Sequence, residues 1–134
     1  VADSECADRK RVLIVDDQPQ IGRVFGLKLR YAGYDVVSTT SGAEAIELVR
    51  EQNFDVMLLD VLMPNVSGMD VLVKVRTFSQ IPIILFTGRA DIFETAKGFG
   101  ANDYVSKPLN PDYLVKKIEA VLAESDRRDS VETS

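Results

Sequence analysis

Residues 54–60 read FDVMLLD and residues 81–87 read IPIILFT. The centres of these runs, VMLL and IILF, are apolar without interruption, so neither has an alternating polar face. A strand with one wet face alternates, whereas a strand this uniform is buried on both sides, as in a parallel sheet covered by helices. Working outward, short β-rich runs alternate with segments of helical period. They are RVLIV (11–15) then 18–32, DVVST (35–39) then 42–52, FDVMLLD then 67–78, IPIILFT then 91–99, and DYVS (103–106) then 111–124. That makes five βα units, which right-handed crossovers wind into an open, doubly wound α/β sheet.

Local signals support these boundaries. Ser41 can cap a helix with Glu44 three residues on, Asn110 can cap with Pro111 at the first helical position, and Gly33 ends the first helix. Ala45, Ile46, Leu48 and Val49 share one helical face, and so do Leu114, Val115, Ile118, Val121 and Leu122. Residues 1–9 (VADSECADR) and 125–134 (SDRRDSVETS) are polar and aperiodic. They read as a disordered tail and as a tail or linker stub on either side of a folded domain at 10–124.

A chain of 134 residues, 46% hydrophobic, has core enough for one domain and no room for a second. Its net charge of −5 argues against direct binding of nucleic acid, and it has no apolar run of membrane-span length. The single cysteine, Cys6, allows no disulfide within the chain, and cytoplasmic location is the default expectation. The missing initiator Met and leader point to a cut or processed chain, with a longer protein behind it. With no histidine at all, Ser-His-Asp triads, His-ligated zinc and an internal phosphohistidine relay are excluded. The chemistry is left to carboxylates, hydroxyls and lysine.

Those groups stand at the strand ends. Strand one closes on Asp16-Asp17, strand three on Asp60, strand four on Thr87-Gly88, and Lys107-Pro108 follows strand five. Ligands of open α/β sheets bind beyond the carboxyl ends of the strands, where strand order reverses. If strand one lies between strands two and three, in the flavodoxin-like order 2-1-3-4-5, the three carboxylates meet on one edge beside Thr87 and Lys107. Three carboxylates against one ammonium leave an excess of negative charge that calls for a cation. Mg2+, a hard ion that keeps waters and binds phosphate oxygens, suits the set. A carboxylate could then attack phosphorus while the metal and Lys107 neutralise the transferring group and Thr87 donates a hydrogen bond to the product. Each residue also has a plain reading. Asp17 can cap helix one, Asp60 can be a turn residue before Pro64, Thr87-Gly88 can be a turn, Lys107 can be a solvated lysine and Tyr104 a core aromatic. The convergence of separate segments on one edge weighs against taking all of these together.

VDD at 15–17, LLDVLMPNVSG at 58–68, FTG at 86–88 and NDYVSKPL at 102–109 together resemble the receiver domain of two-component response regulators, over about residues 10–124. The resemblance implies Asp60 as phosphoacceptor, Asp17 as a direct and Asp16 as a mainly water-mediated magnesium ligand, and the main-chain carbonyl of Leu62 as another ligand. It implies Thr87 as the switch hydroxyl, Tyr104 as the switch aromatic, Lys107 as the phosphate-binding lysine, and a cis peptide before Pro108. The implied partners are a sensor histidine kinase or histidine phosphotransfer protein, a downstream effector domain or protein, and a second copy as a homodimer. Two features depart from the pattern. Asn102 stands where an acidic residue is common, and the last helix (DYLVKKIEAVLAES) lacks the arginine-rich pattern of DNA-binding members with a shared dimer face.

The expected function is a regulatory phosphoacceptor rather than an enzyme, either alone or as a module cut from a larger hybrid kinase or effector protein. A haloacid-dehalogenase-like phosphohydrolase would also use an Asp nucleophile and magnesium, but it needs an acid-base Asp two residues after the nucleophile, where Leu62 stands. A flavodoxin-like flavin carrier needs a phosphate loop rich in Ser, Thr and Gly after strand one, and DDQPQ would repel a phosphate.

Overall fold

Strands β3 (Val56–Asp60) and β4 (Ile83–Thr87) are buried at every position, as uniform apolarity demands. The computed structural model describes residues 9–63, 65–87, 90–106 and 110–133, with the backbone alone at residues 90 and 127–133. With β1 (Arg11–Val15), β2 (Asp35–Thr39) and β5 (Asp103–Ser106), β3 and β4 form one parallel sheet in the order β2-β1-β3-β4-β5. The connecting helices are α1 (Pro19–Tyr31), α2 (Gly42–Glu51), α3 (Gly68–Arg76), α4 (Ala90–Lys97) and α5 (Pro111–Thr133).

The period-two alternation of a strand divides the core into two halves. Leu13, Val15, Met57, Leu59, Ile83 and Leu85 point to one face, where Ala45 of α2, Val71, Leu72 and Val75 of α3 and Ala96 of α4 cover them. Val12, Ile14, Val56, Leu58, Ile84 and Phe86 point to the other, under Phe25 and Leu29 of α1 and Leu114, Ile118, Val121 and Leu122 of α5.

Two strands start later than their apolar runs suggest. Asp55 accepts the Arg11 N–H on its carboxylate at 2.7 Å, a junction contact rather than a ladder bond, and Pro82 has no N–H to give. Ser41 Oγ accepts the Glu44 N–H at 3.2 Å, and Asn110 Oδ1 accepts the Asp112 N–H at 2.8 Å, so both expected caps are made. Gly33 closes α1 at φ 102°, with Tyr34 N–H bonded to Leu29 O and Gly33 N–H to Arg30 O, both at 3.0 Å. The plain reading of Asp17 as cap of α1 is corrected. The N-cap is Gln18, which makes no side-chain cap bond, and Pro19 presets the first turn. Helix α5, expected to stop at 124, continues to Thr133 because no Gly or Pro interrupts it after Pro111. Its buried stripe ends at Leu122, and Ser125 and Asp126 lie outside the core.

Candidate functional site

Register brings the polar strand ends together. Val15 pairs with Leu59, so the next residues, Asp16 and Asp60, emerge side by side; Asp60 pairs with Phe86, so Thr87 follows on the adjacent strand. Asp16, Asp17 and Asp60 each offer a carboxylate oxygen, and these atoms lie within 4.8 Å of one another. Asp16, Asp60 and Thr87 are only 3%, 2% and 3% exposed, while Asp17 is half-buried and opens the cluster to solvent.

The frame around the carboxylates is hydrogen-bonded. Asp16 donates its N–H to Thr39 O at 3.2 Å and accepts the Gln18 N–H on Oδ1 at 2.9 Å. Asp60 Oδ1 accepts the Leu62 N–H at 3.3 Å, while the Leu62 side chain is 71% exposed. At the observed spacing two ionised carboxylates repel by about 3 kcal/mol per pair at an effective dielectric near 20. A divalent cation relieves that repulsion, and a set of three hard oxygen donors with one solvent-facing side fits an octahedral ion that retains waters. Among the described residues this is the one acidic cluster of that kind.

Helix α3 begins directly under the carboxyl end of β3, a feature the sequence analysis did not anticipate. A Cβ on Gly68 would lie 2.1 Å from Asp60 O and 2.6 Å from Val61 Cα, so only glycine permits the approach. Gly68 N–H bonds Val61 O at 3.0 Å. A capping box, Ser67 Oγ accepting from Asp70 N–H and Asp70 Oδ2 from Ser67 N–H, both at 3.2 Å, holds the helix start in place. The motif S-x-x-D with Gly at the first helical position was the signal available in the sequence.

Tyr104 lies on β5 opposite Leu85 and is half-buried. Its ring stacks on Phe93 of α4, with centroids 4.8 Å apart and planes inclined by 29°. It is neither a sealed core residue nor a free surface one. Lys107, the Pro108 peptide bond, Gly88, Arg89 and Pro64 lie outside the described residues.

The fold and this edge define a receiver-type α/β domain, and comparison with known proteins agrees. Residues 12–119 match the family model described as response regulator receiver domain, and the chain belongs to that family. The uncharacterized transcriptional regulatory protein YkoG of Bacillus subtilis is 40% identical over 121 residues, covering 88% of this chain and 53% of the relative. The DNA-binding response regulator MtrA of Mycobacterium tuberculosis is 35% identical over 120 residues, again covering 88% and 53%. The chain thus spans about half the length of the curated relatives it matches. Among solved structures, a CheY-like receiver domain protein from Methanospirillum hungatei superposes with TM-score 0.85 at 29% identity, covering 90% of this chain and 99% of that one. The Thermotoga maritima response regulator TrrA, solved in complex with Mg2+-BeF, gives TM-score 0.76 at 32% identity, covering 84% and 98%.

Proposed function

We propose that Asp60 of this receiver domain accepts a phosphoryl group from a sensor histidine kinase or a histidine phosphotransfer protein, with Mg2+ held by Asp16, Asp17, Asp60 and the main-chain carbonyl of Leu62. The observation that carries the reading is the cluster itself: three carboxylates within 4.8 Å at the carboxyl edge of the sheet, with the Thr87 hydroxyl on the next strand end. Bound magnesium supplies the charge that lets the cluster stay ionised and receive an anion. The Asp60 carboxylate attacks phosphorus, its O–P bond forming as the P–N bond to the donor imidazole breaks and the ring nitrogen keeps the electron pair. The Leu62 N–H holds the carboxylate in one orientation during attack, which lowers the entropic cost of alignment. Lys107 pairs with the transferred oxygens, and Thr87 donates a hydrogen bond to the product.

The output is regulatory. Phosphorylation biases a two-state equilibrium through Thr87 and Tyr104, and the surface of α4, β5 and α5 presents the result to an effector domain or protein. The acidic charge of this segment, −5, assigns any DNA contact to whatever effector it controls, in the cytoplasm. No described helix is long and apolar enough to cross a membrane.

Incubation with acetyl phosphate and magnesium tests the acceptor. Intact mass rises by one phosphoryl group in the parent chain, and Asp60→Asn abolishes the rise. Labelling of Asp60→Asn at full stoichiometry would falsify the assignment.

A further inference from the structure

The amino ends of β4 and β5, opposite the acidic edge, are tied to α3 by one side chain. Arg76, half-buried at the end of α3, donates from Nε and Nη2 to Gly100 O at 3.1 and 2.9 Å, from Nη1 to Ser79 O at 3.1 Å, and from Nη2 to Asn102 Oδ1 at 3.0 Å. Asn102 Oδ1 also accepts the Ile83 N–H at 2.8 Å, and Asn102 N–H returns a bond to Ile83 O at 2.9 Å. The neutral amide therefore serves as a double acceptor joining the first residue of β4 to α3. Gly100 has φ 107°, and a Cβ there would lie 2.7 Å from Arg76 Nε, so the loop is moulded to the guanidinium. Burial lowers the Arg76 pKa, and the surrounding oxygens offset that cost. One residue further along, Asp103 Oδ2 accepts from Lys117 Nζ at 3.0 Å and ties the same end of β5 to α5.

Near the carboxyl end of β5, Tyr104 is half-buried, packs against the core and stacks on Phe93 of α4. We propose that Arg76, with Asn102 and Gly100, is a positioning residue that forms a fixed pivot for the switch, so that β5 and α4 swing at the phosphorylation edge while their far end stays anchored to α3. A strand held at one end converts a displacement at Thr87 into rotation about the anchor. A strand free at both ends would slide, and the motion would dissipate into the loop at 98–102. This rests on the switch reading above and adds where the motion stops.

Amide hydrogen exchange of the full chain, with magnesium and with or without beryllofluoride as phosphoryl mimic, tests it. In the parent, the Ile83 and Asn102 amides exchange at the same rate in both conditions. In Arg76→Met they exchange about tenfold faster when the mimic is added, because the anchor no longer resists the motion. Arg76→Lys, which keeps the charge but not the fork, shows a smaller response in the same direction and covers the case in which the Met variant does not fold. A purely structural role gives faster exchange in the variants to the same extent with and without the mimic, and that result overturns the pivot. So does mimic-dependent exchange at Ile83 and Asn102 in the parent. If the parent's Thr87 and Tyr104 amides ignore the mimic, the switch reading fails instead, and the pivot falls with it.

Discussion

The two sides of the carboxyl edge are built differently. On the β1–β3 side, both strands are central, Asp16 and Asp60 are almost fully buried, and the first turn of α3 is pinned beneath Asp60 by Gly68 and a capping box. On the β4–β5 side, β5 is a four-residue edge strand whose one buried residue is Val105, and α4 is eight residues long. Tyr104 there is only half-buried, stacked on Phe93 at the margin of the core. A group that does chemistry must be held within a fraction of an ångström, whereas a group that reports must have two places to be. This difference suits the proposed roles, with acceptor geometry in the rigid half and response in the lightly held half.

The largest expected effect breaks the rigid half. Gly68→Ala should lower stability by about 3 kcal/mol, since its Cβ would overlap backbone rather than a flexible side chain. Phosphorylation from acetyl phosphate should slow with it. Denaturant melts that superpose on the parent would show that α3 is free to shift and that the frame is not fixed.

The effect of replacing Asp17 should change sign with metal. Without metal, Asp17→Asn removes one like charge from the cluster and should raise stability, by about 1 kcal/mol after screening of the half-exposed group. With magnesium in excess the parent should be the more stable, since the variant loses about tenfold or more in metal affinity. Melts with and without magnesium read both signs, and an unchanged affinity would remove Asp17 from the ligand set.

The smallest effect concerns the lifetime of the phosphorylated state. Leu62 is exposed beside Asp60 and cannot orient a water by hydrogen bonding. Leu62→Asn should speed first-order dephosphorylation about tenfold, equivalent to about 1.4 kcal/mol at the transition state. Arg89→Ala, at a position outside the described residues, should act in the same direction if its guanidinium shields the phosphate. Parental decay in both variants would place control of water elsewhere.

The rigid half was the more legible in the sequence. Apolar runs as uniform as VMLL and IILF can hardly be anything but doubly covered strands, and acidic residues at their ends stand out against that background. Asp16, Asp17 and Asp60 were therefore found, and strand order placed them together. Gly68 was not found, because close approach of a helix to a backbone carbonyl leaves no trace in hydrophobic periodicity. The cap of α1 was left open between two readings of Asp17, since an Asp near a helix start serves equally as cap or ligand until tertiary contacts decide, and the N-cap is Gln18. The extent of α5 was missed because polarity reports burial rather than helix propensity. Nothing in the sequence sets Arg76 apart from other basic residues near helix ends, and only the fold shows which carbonyls surround it.

Readout of phosphorylation in the rigid half by the lightly held half is tested by the amide chemical-shift map of the chain with magnesium, before and after addition of beryllofluoride. Shifts should start at residues 60–62 and 87 and extend through α4 to residues 103–106, with the Tyr104 ring leaving its stack on Phe93 as Thr87 moves toward Asp60. Shifts confined to the immediate surroundings of Asp60, with Tyr104 and Phe93 unmoved, would contradict it.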